Sequence, residues 1–261
     1  MVSTDNQKLK DLLTVVITTH ILPSAPSSAV IESTISSIRK RFTNINECKF
    51  VVYCDSDTDN ANHEEYIRNL KKINNVQIKE CRHSGFLNTG LRDNYVRAMY
   101  SSETPFVFFC EHDWNFLRSV DTVKLLKAMN QTDEINYVRF NKRDNRLAHI
   151  DNPEEGDADF WETYVEEKKI NDHYFMKTDC IATHPHIIRV SKFKKDWVKF
   201  AAINRDGITG IVEYNLNNFY KKDISILGFN TAHKQWGVYN FGSKNDKKII
   251  SHLDGSDSGR K

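Results

Sequence analysis

The sequence has almost no net charge, no long apolar run and no paired cysteines, and each absence removes a class of protein. Thirty-seven basic residues stand against thirty-five acidic ones, a net charge of +2 at pH 7. Nucleic-acid binders normally carry a basic excess or stripe, so recognition by bulk electrostatics is disfavoured. No stretch approaches the roughly eighteen uninterrupted apolar residues that a membrane span needs. Met1 to Lys10 is polar and lacks the apolar centre of a signal peptide. Together these features predict a soluble cytoplasmic protein with no transmembrane segment. The five cysteines (Cys48, Cys54, Cys81, Cys110, Cys180) form no C-x-x-C pair, which argues against structural zinc. Cys54, Cys81 and Cys110 close apolar or β-rich runs and are expected to be reduced, buried thiols. No G-x-G-x-x-G or Walker loop occurs, so dinucleotide and P-loop readings fail. With no internal repeat and no Pro/Gly/Ser linker, the 261 residues are expected to form one domain spanning 1–261.

What the chain does contain is an alternation of strands and helices. Leu12 to Thr19 is a β-branched run without alternation, the pattern of a central parallel strand. Ile31, Ile35 and Ile38 recur at helical spacing. Lys49 to Cys54 is a second buried strand, ending in Asp55-Ser-Asp57-Thr-Asp59. Tyr66, Leu70 and Ile73 mark a helix, Val76 to Cys81 a short strand, and Leu91, Tyr95, Ala98 and Met99 another helix. Phe106 to Cys110 is then a fully buried strand that stops at Glu111-His112-Asp113. Two carboxylates at such a point are costly unless a cation meets them, and Mg²⁺ or Mn²⁺ suits hard oxygen ligands. The alternation predicts an α/β fold with a largely parallel sheet, and ligands bind beyond the carboxyl ends of such strands. Three strands ending at Thr18-Thr19-His20, at Asp55 to Asp59 and at Glu111 to Asp113 suggest one shared site.

Further along, Val123, Leu126 and Met129 suggest a helix and Tyr137 to Phe140 a strand. Asp151 to Glu167 is dense in acid with Phe160, Trp161 and Tyr164 embedded, and reads as a solvated loop or as a flap over a ligand. Ile187 to Val190 reads as a strand. Val212, Leu216 and Phe219 form a helical stripe with Glu213 off it. From Ile224 the tail reads as short strands: Ile224 to Phe229, Trp236 to Phe241, and Lys248 to Leu253.

The order of these features resembles the family-2-like inverting enzymes among GT-A glycosyltransferases, most closely over the first 115 residues. Val16-Ile-Thr-Thr-His20 is similar to that family's opening strand and nucleotide loop. Val51-Val-Tyr-Cys-Asp55-Ser-Asp57 is similar to its acidic strand end, Gly90-Leu-Arg92-Asp-Asn94 to its Ala-Arg-Asn-like helix start, and Phe106 to Asp113 to its Asp-x-Asp strand, with Glu111 in place of the first aspartate. The resemblance implies a Rossmann-like, three-layer α/β/α sandwich with a mixed, mostly parallel central sheet. It also implies a donor half (about 1–115), an acceptor half (about 116–261), and a role in polysaccharide biosynthesis. The implied reaction moves a sugar from a nucleoside-diphosphate sugar, a UDP-sugar by expectation, to a glycan or glycoconjugate hydroxyl with inversion. Thr18, Thr19, His20, Asp55, Asp57 and Arg92 would then contact the donor nucleotide. Glu111, Asp113 and the late His252 would hold Mn²⁺ or Mg²⁺. Glu213, following Gly207-Ile-Thr-Gly210, would be the general base, although Tyr214 follows where the family pairs Glu with Asp.

Other readings compete. Cys54-Asp55-Ser-Asp57-Thr-Asp59 comes close to the motif of a haloacid-dehalogenase-type phosphatase. Aspartate stands at position 59 where threonine or valine is wanted, and a full strand-helix unit precedes the motif. A nucleotidyltransferase would need a glycine-rich, basic loop where His20-Ile-Leu-Pro-Ser-Ala-Pro stands. A non-enzymatic protein that binds a sugar nucleotide or glycan without turnover accounts for the Glu111 replacement and the unpaired Glu213.

Overall fold

A computed structural model describes residues 8–22, 24–55, 59–81, 90–145, 164–201 and 212–253. The short helix α1 (Leu9–Leu12) leads into β1 (Leu13–Thr19), every residue of which is buried. Helix α2 (Ala29–Arg41), β2 (Lys49–Asp55), α3 (His63–Leu70), β3 (Gln77–Cys81), α4 (Gly90–Ser101) and β4 (Phe106–Glu111) follow in alternation. Right after β4 comes a short strand β5 (Trp114–Phe116), then α5 (Thr122–Asn130) and β6 (Tyr137–Arg139). Strands β7 (Tyr164–Ile170), β8 (His173–Thr178) and β9 (His186–Arg189) precede a helical run of α6 (Val190–Lys192), a π-helical turn (Phe193–Trp197) and α7 (Val198–Ala201). Helices α8 (Val212–Leu227) and α9 (Phe229–Trp236) and strands β10 (Val238–Phe241) and β11 (Ile250–His252) complete the described chain.

The main sheet has nine strands in the order β3-β2-β1-β4-β9-β6-β10-β8-β7. Strands β3, β2, β1 and β4 are mutually parallel, and β9 runs against both β4 and β6. Burial follows the period-2 alternation of strand side chains. Val15, Ile17, Phe106, Phe108 and Cys110 face one core with Ile31, Ile35 and Ile38 of α2, Tyr66 and Leu70 of α3, and Leu125 and Leu126 of α5. Val16, Val107 and Phe109 face the other with Tyr95 and Met99 of α4, Leu216 and Tyr220 of α8, and Trp236 of α9. Helices on both faces make the expected α/β/α sandwich around a mixed sheet. Phe106, Phe108 and Phe109 are each 0% exposed, and burial of such a side chain contributes about 1.5–3 kcal/mol.

Two expected features of the second half come out differently. Ile224 to Phe229 is not a strand: α8 continues to Leu227, Gly228 breaks it at φ 77°, and α9 begins at Phe229. The stripe Val212, Leu216, Tyr220 and Ile224 advances by four residues and keeps packing on one core, so the helical period wins over the local Ile-Ser-Ile alternation. The acidic stretch also ends in an edge strand rather than a loop, because Tyr164–Ile170 pairs with β8 through a two-residue turn. Asn171 and Asp172 both have positive φ, as such hairpin turns require. Glu166 and Lys177 meet across the pair at 2.6 Å, and the charges suit an exposed edge. Phe160 and Trp161 lie outside the described residues. All five cysteines are free and buried, and no described helix is long and apolar enough to cross a membrane.

Two buried histidines make the fold sensitive to acid. Burial pushes His186 down from 6.5 to about 3 and His233 to about 4, in each case against a partly offsetting backbone hydrogen bond. Below pH 6.5 the unfolded chain therefore takes up protons that the native chain refuses, and stability falls as pH drops through that window. The expected loss is about 2 kcal/mol per histidine between pH 7 and pH 5. Urea unfolding at the two pH values should show it, with a fall smaller by about that amount in His233→Gln.

Candidate active site

The parallel strands β1, β2 and β4 carry Thr19, Asp55 and Glu111 to one edge of the sheet. Thr18 lies opposite both Tyr53 and Glu111 in register. Thr18 is buried and its hydroxyl has no partner among the described residues. The Thr19 hydroxyl is engaged with Tyr66 Oη at 2.8 Å, which ties β1 to α3. His20 is exposed and meets the His112 ring edge-on at 5.0 Å.

Asp55 is gripped by the start of α4. Asn94 donates its side-chain amide to Asp55 Oδ1, and a Cβ at position 90 would run into the Asp55 carboxylate. Gly90 is thus demanded by close approach, which the sequence did not reveal. Arg92, two residues on, has its Nε 3.2 Å from Asp93 Oδ1, with only 13% of its side chain exposed. Asp57 and the Gly207 to Gly210 stretch lie outside the described residues.

At the end of β4 the chain assembles a cluster of acids. The ribbon of β5 and β11 sets Trp114 opposite His252, and Leu253 donates its amide to the Asp113 carbonyl at 2.7 Å. His252 Nδ1 lies 3.4 Å from Asp113 Oδ2, and its ring centroid is 3.7 Å from that of Trp114. From the far side, Glu213 in the first turn of α8 accepts two hydrogen bonds on Oε2. The donors are the Thr183 amide at 3.1 Å and the Thr183 hydroxyl at 2.9 Å. Thr183 also lies beside Glu111 and favours its ionised form. Residues 111, 113, 183, 213 and 252 therefore come to one place from four parts of the chain. Thr183 is the member that sequence reasoning missed, because only its setting in the 180–186 loop distinguishes it from other threonines.

The electrostatics of the two β4 carboxylates diverge. Burial, and then the charge of Asp113, push Glu111 up to about 7, with Glu213 adding to the rise and Thr183 and His252 opposing it. Burial also pushes Asp113 up, but the His252 contact and the charges of His112 and His252 outweigh it, so its net shift is downward. Asp113 Oδ1 is buried and has no hydrogen-bond partner among the described residues. No group of three or more His, Cys, Asp or Glu stands in metal-holding arrangement among the described residues. The chemistry of the donors nevertheless fits a hard divalent cation: an orphaned carboxylate oxygen, a second carboxylate repelled by the first, and an imidazole beside them.

This sheet order, with helices on both faces and acids beyond β4, is the fold of the GT-A glycosyltransferases. A crystal structure of residues 1–349 of S. aureus TarS matches 95% of this chain at a TM-score of 0.51 and 15% identity. The match covers 62% of that chain. A mannosyltransferase from Pyrobaculum calidifontis, PcManGT, solved in complex with GDP-Man and Mn²⁺, aligns over 50% of this chain and 35% of its own. Its TM-score is 0.36 at 15% identity, too partial to carry an argument. No known family profile matches the chain, and no curated protein does.

The grip on Asp55 is testable without a substrate. Gly90→Ala should lower stability by about 1–3 kcal/mol through overpacking against the carboxylate. Adding Asp55→Ala should recover most of that loss in a urea titration, because the obstructing atoms are gone.

Proposed function

We propose that this protein is a metal-dependent glycosyltransferase that moves a sugar from a nucleoside-diphosphate sugar to a hydroxyl of a glycan or glycoconjugate, with inversion. The observation that carries the reading is the meeting of Glu111, Asp113, Glu213 and His252 beyond the end of β4. The donor half is residues 1–115 and the acceptor half the remainder. Thr18, His20, Asp55, Asp57 and Arg92 are assigned to the nucleotide side, and a UDP-sugar is the first donor to try. Asn94 donates to one oxygen of Asp55 and so orients that carboxylate at the end of β2. Asp113 and His252, with Glu111, would hold Mn²⁺ or Mg²⁺, and the bound ion supplies Lewis-acid stabilisation of the departing diphosphate.

The chain's own contribution to the reaction is a base and an orientation. Glu213 takes the proton of the acceptor hydroxyl as that oxygen forms its bond to the anomeric carbon. The bond from the anomeric carbon to the diphosphate oxygen breaks, and its electron pair leaves with the nucleoside diphosphate. Attack from the face opposite the leaving group inverts the anomeric centre. Buried apolar side chains beneath the cluster, Phe108 and Phe109 among them, limit water around these charges and strengthen each interaction. The same chemistry would serve the synthesis of a polysaccharide.

The test is release of nucleoside diphosphate from UDP- and GDP-sugars with Mn²⁺, with binding followed by thermal shift. Asp113→Ala should lose both the Mn²⁺-dependent shift and turnover. Glu213→Gln should keep the shift and lose at least a hundredfold in kcat, the range expected of a general base. Wild-type turnover in Glu213→Gln would remove it as base. Binding without any release by the native protein would instead identify a sugar-nucleotide-binding protein of the same fold.

A further inference from the structure

Resting on the assignment of Glu213 as base, we infer that Thr183 is a positioning residue that dedicates one oxygen of that carboxylate, Oε1, to receiving the acceptor proton. Both Thr183 donors, the amide at 3.1 Å and the hydroxyl at 2.9 Å, fall on the same oxygen, Oε2. Among the described residues no hydrogen bond reaches Oε1. Two donors on one oxygen hold the terminal torsion and so fix the plane of the carboxylate as well as its position, leaving the oxygen that Thr183 does not bind turned to one direction. A glutamate in the first turn of a helix is otherwise free to sample several rotamers. A base held to one geometry meets the condition for efficient proton abstraction, which a wandering carboxylate does not.

The donors are themselves immobilised. The Ile181 amide donates to Asn217 Oδ1 at 3.2 Å, which ties the loop to the same helix that bears Glu213. Tyr137 Oη donates to the Ala182 carbonyl, and the Phe140 amide to the Pro185 carbonyl at 2.9 Å. His186 closes the loop: its Nδ1 lies 2.7 Å from the His184 carbonyl and its Nε2 2.8 Å from Tyr95 Oη. Its ring lies between those of Phe109 and Tyr137. Threonine suits the post because its β-branch restricts χ1 and so aims the hydroxyl. Thr183 lies beside Glu111 as well, so the β4 acid and the α8 acid flank one residue.

The experiment compares Thr183→Val, which keeps shape and amide but removes the hydroxyl, with Thr183→Ser, which keeps the hydroxyl. The reaction followed is nucleoside diphosphate release from the UDP- or GDP-sugar that the native protein turns over fastest with Mn²⁺. Thr183→Val should lower kcat by about tenfold to a hundredfold, the span of one hydrogen bond to a charged group, and leave the donor KM within about threefold. Thr183→Ser should stay within about fivefold of native. A kcat for Thr183→Val within threefold of native, or an equal loss in Thr183→Ser, overturns the inference. With Glu213→Gln inactive and Thr183→Val normal, only the positioning role fails; with Glu213→Gln fully active, the base assignment fails first. A double-mutant cycle of Thr183→Val and Glu213→Ala by urea unfolding needs no turnover. Non-additive effects are expected, and strict additivity also overturns the inference.

Discussion

Everything at this site depends on two carboxylates being held close together where water is scarce. Glu111 and Asp113 repel one another, and nothing in an isolated strand end would keep them there. What keeps them is the strand beneath: Phe106 to Cys110 are all fully buried between two helical layers, and β4 is bonded on one side to β1 and on the other to β9. The hydrophobic stabilisation of that strand offsets the electrostatic cost of its end. The repulsion is offset at Asp113 by the neighbouring His112 and His252, and at Glu111 it is not.

The second half of the chain reaches these acids by three routes. The β5–β11 ribbon brings His252 to Asp113, the antiparallel β9 brings the preceding loop across the sheet, and α8 begins beside that loop. Because β9 runs against β4, residues just before His186 emerge at the edge where β4 ends, so Thr183 arrives next to Glu111. A parallel strand in that position would have delivered the opposite end. The reversal of one strand is therefore what joins the second half of the chain to the first.

The first half was legible in the sequence because its elements are strongly periodic and alternate in kind. Strands β1, β2 and β4 are continuous apolar runs, and each stops at polar residues whose types already suggested a site. The second half was harder for definite reasons. Strand β7 is an edge strand whose centre, Glu166 to Lys169, is all charged, so no apolar pattern marks it. The Ile224 stretch mimics a strand over a few residues and declares itself a helix only when the stripe from Val212 is followed through. Thr183 and Gly90 carry no signal of their own, since the function of each comes from what lies across the fold: two carboxylates for Thr183, and one for Gly90. Glu213 and His252 could be named from their order in the chain, but the arrival of one beside Glu111 and of the other beside Asp113 is a property of the tertiary structure alone.

The neighbours of the two β4 acids also give each a different part. Asp113 has an imidazole beside it and a net pull toward the ionised form, with one oxygen left over. Glu111 has Asp113 on one side, Glu213 on another and a single hydroxyl between itself and the latter, and it is pushed to about 7. A glutamate rather than an aspartate at this position reaches farther from the strand, toward Thr183 and the helix that carries Glu213. The two acids of one strand end thus sit in opposite electrostatic settings, Asp113 drawn toward its ionised form and Glu111 toward its neutral one.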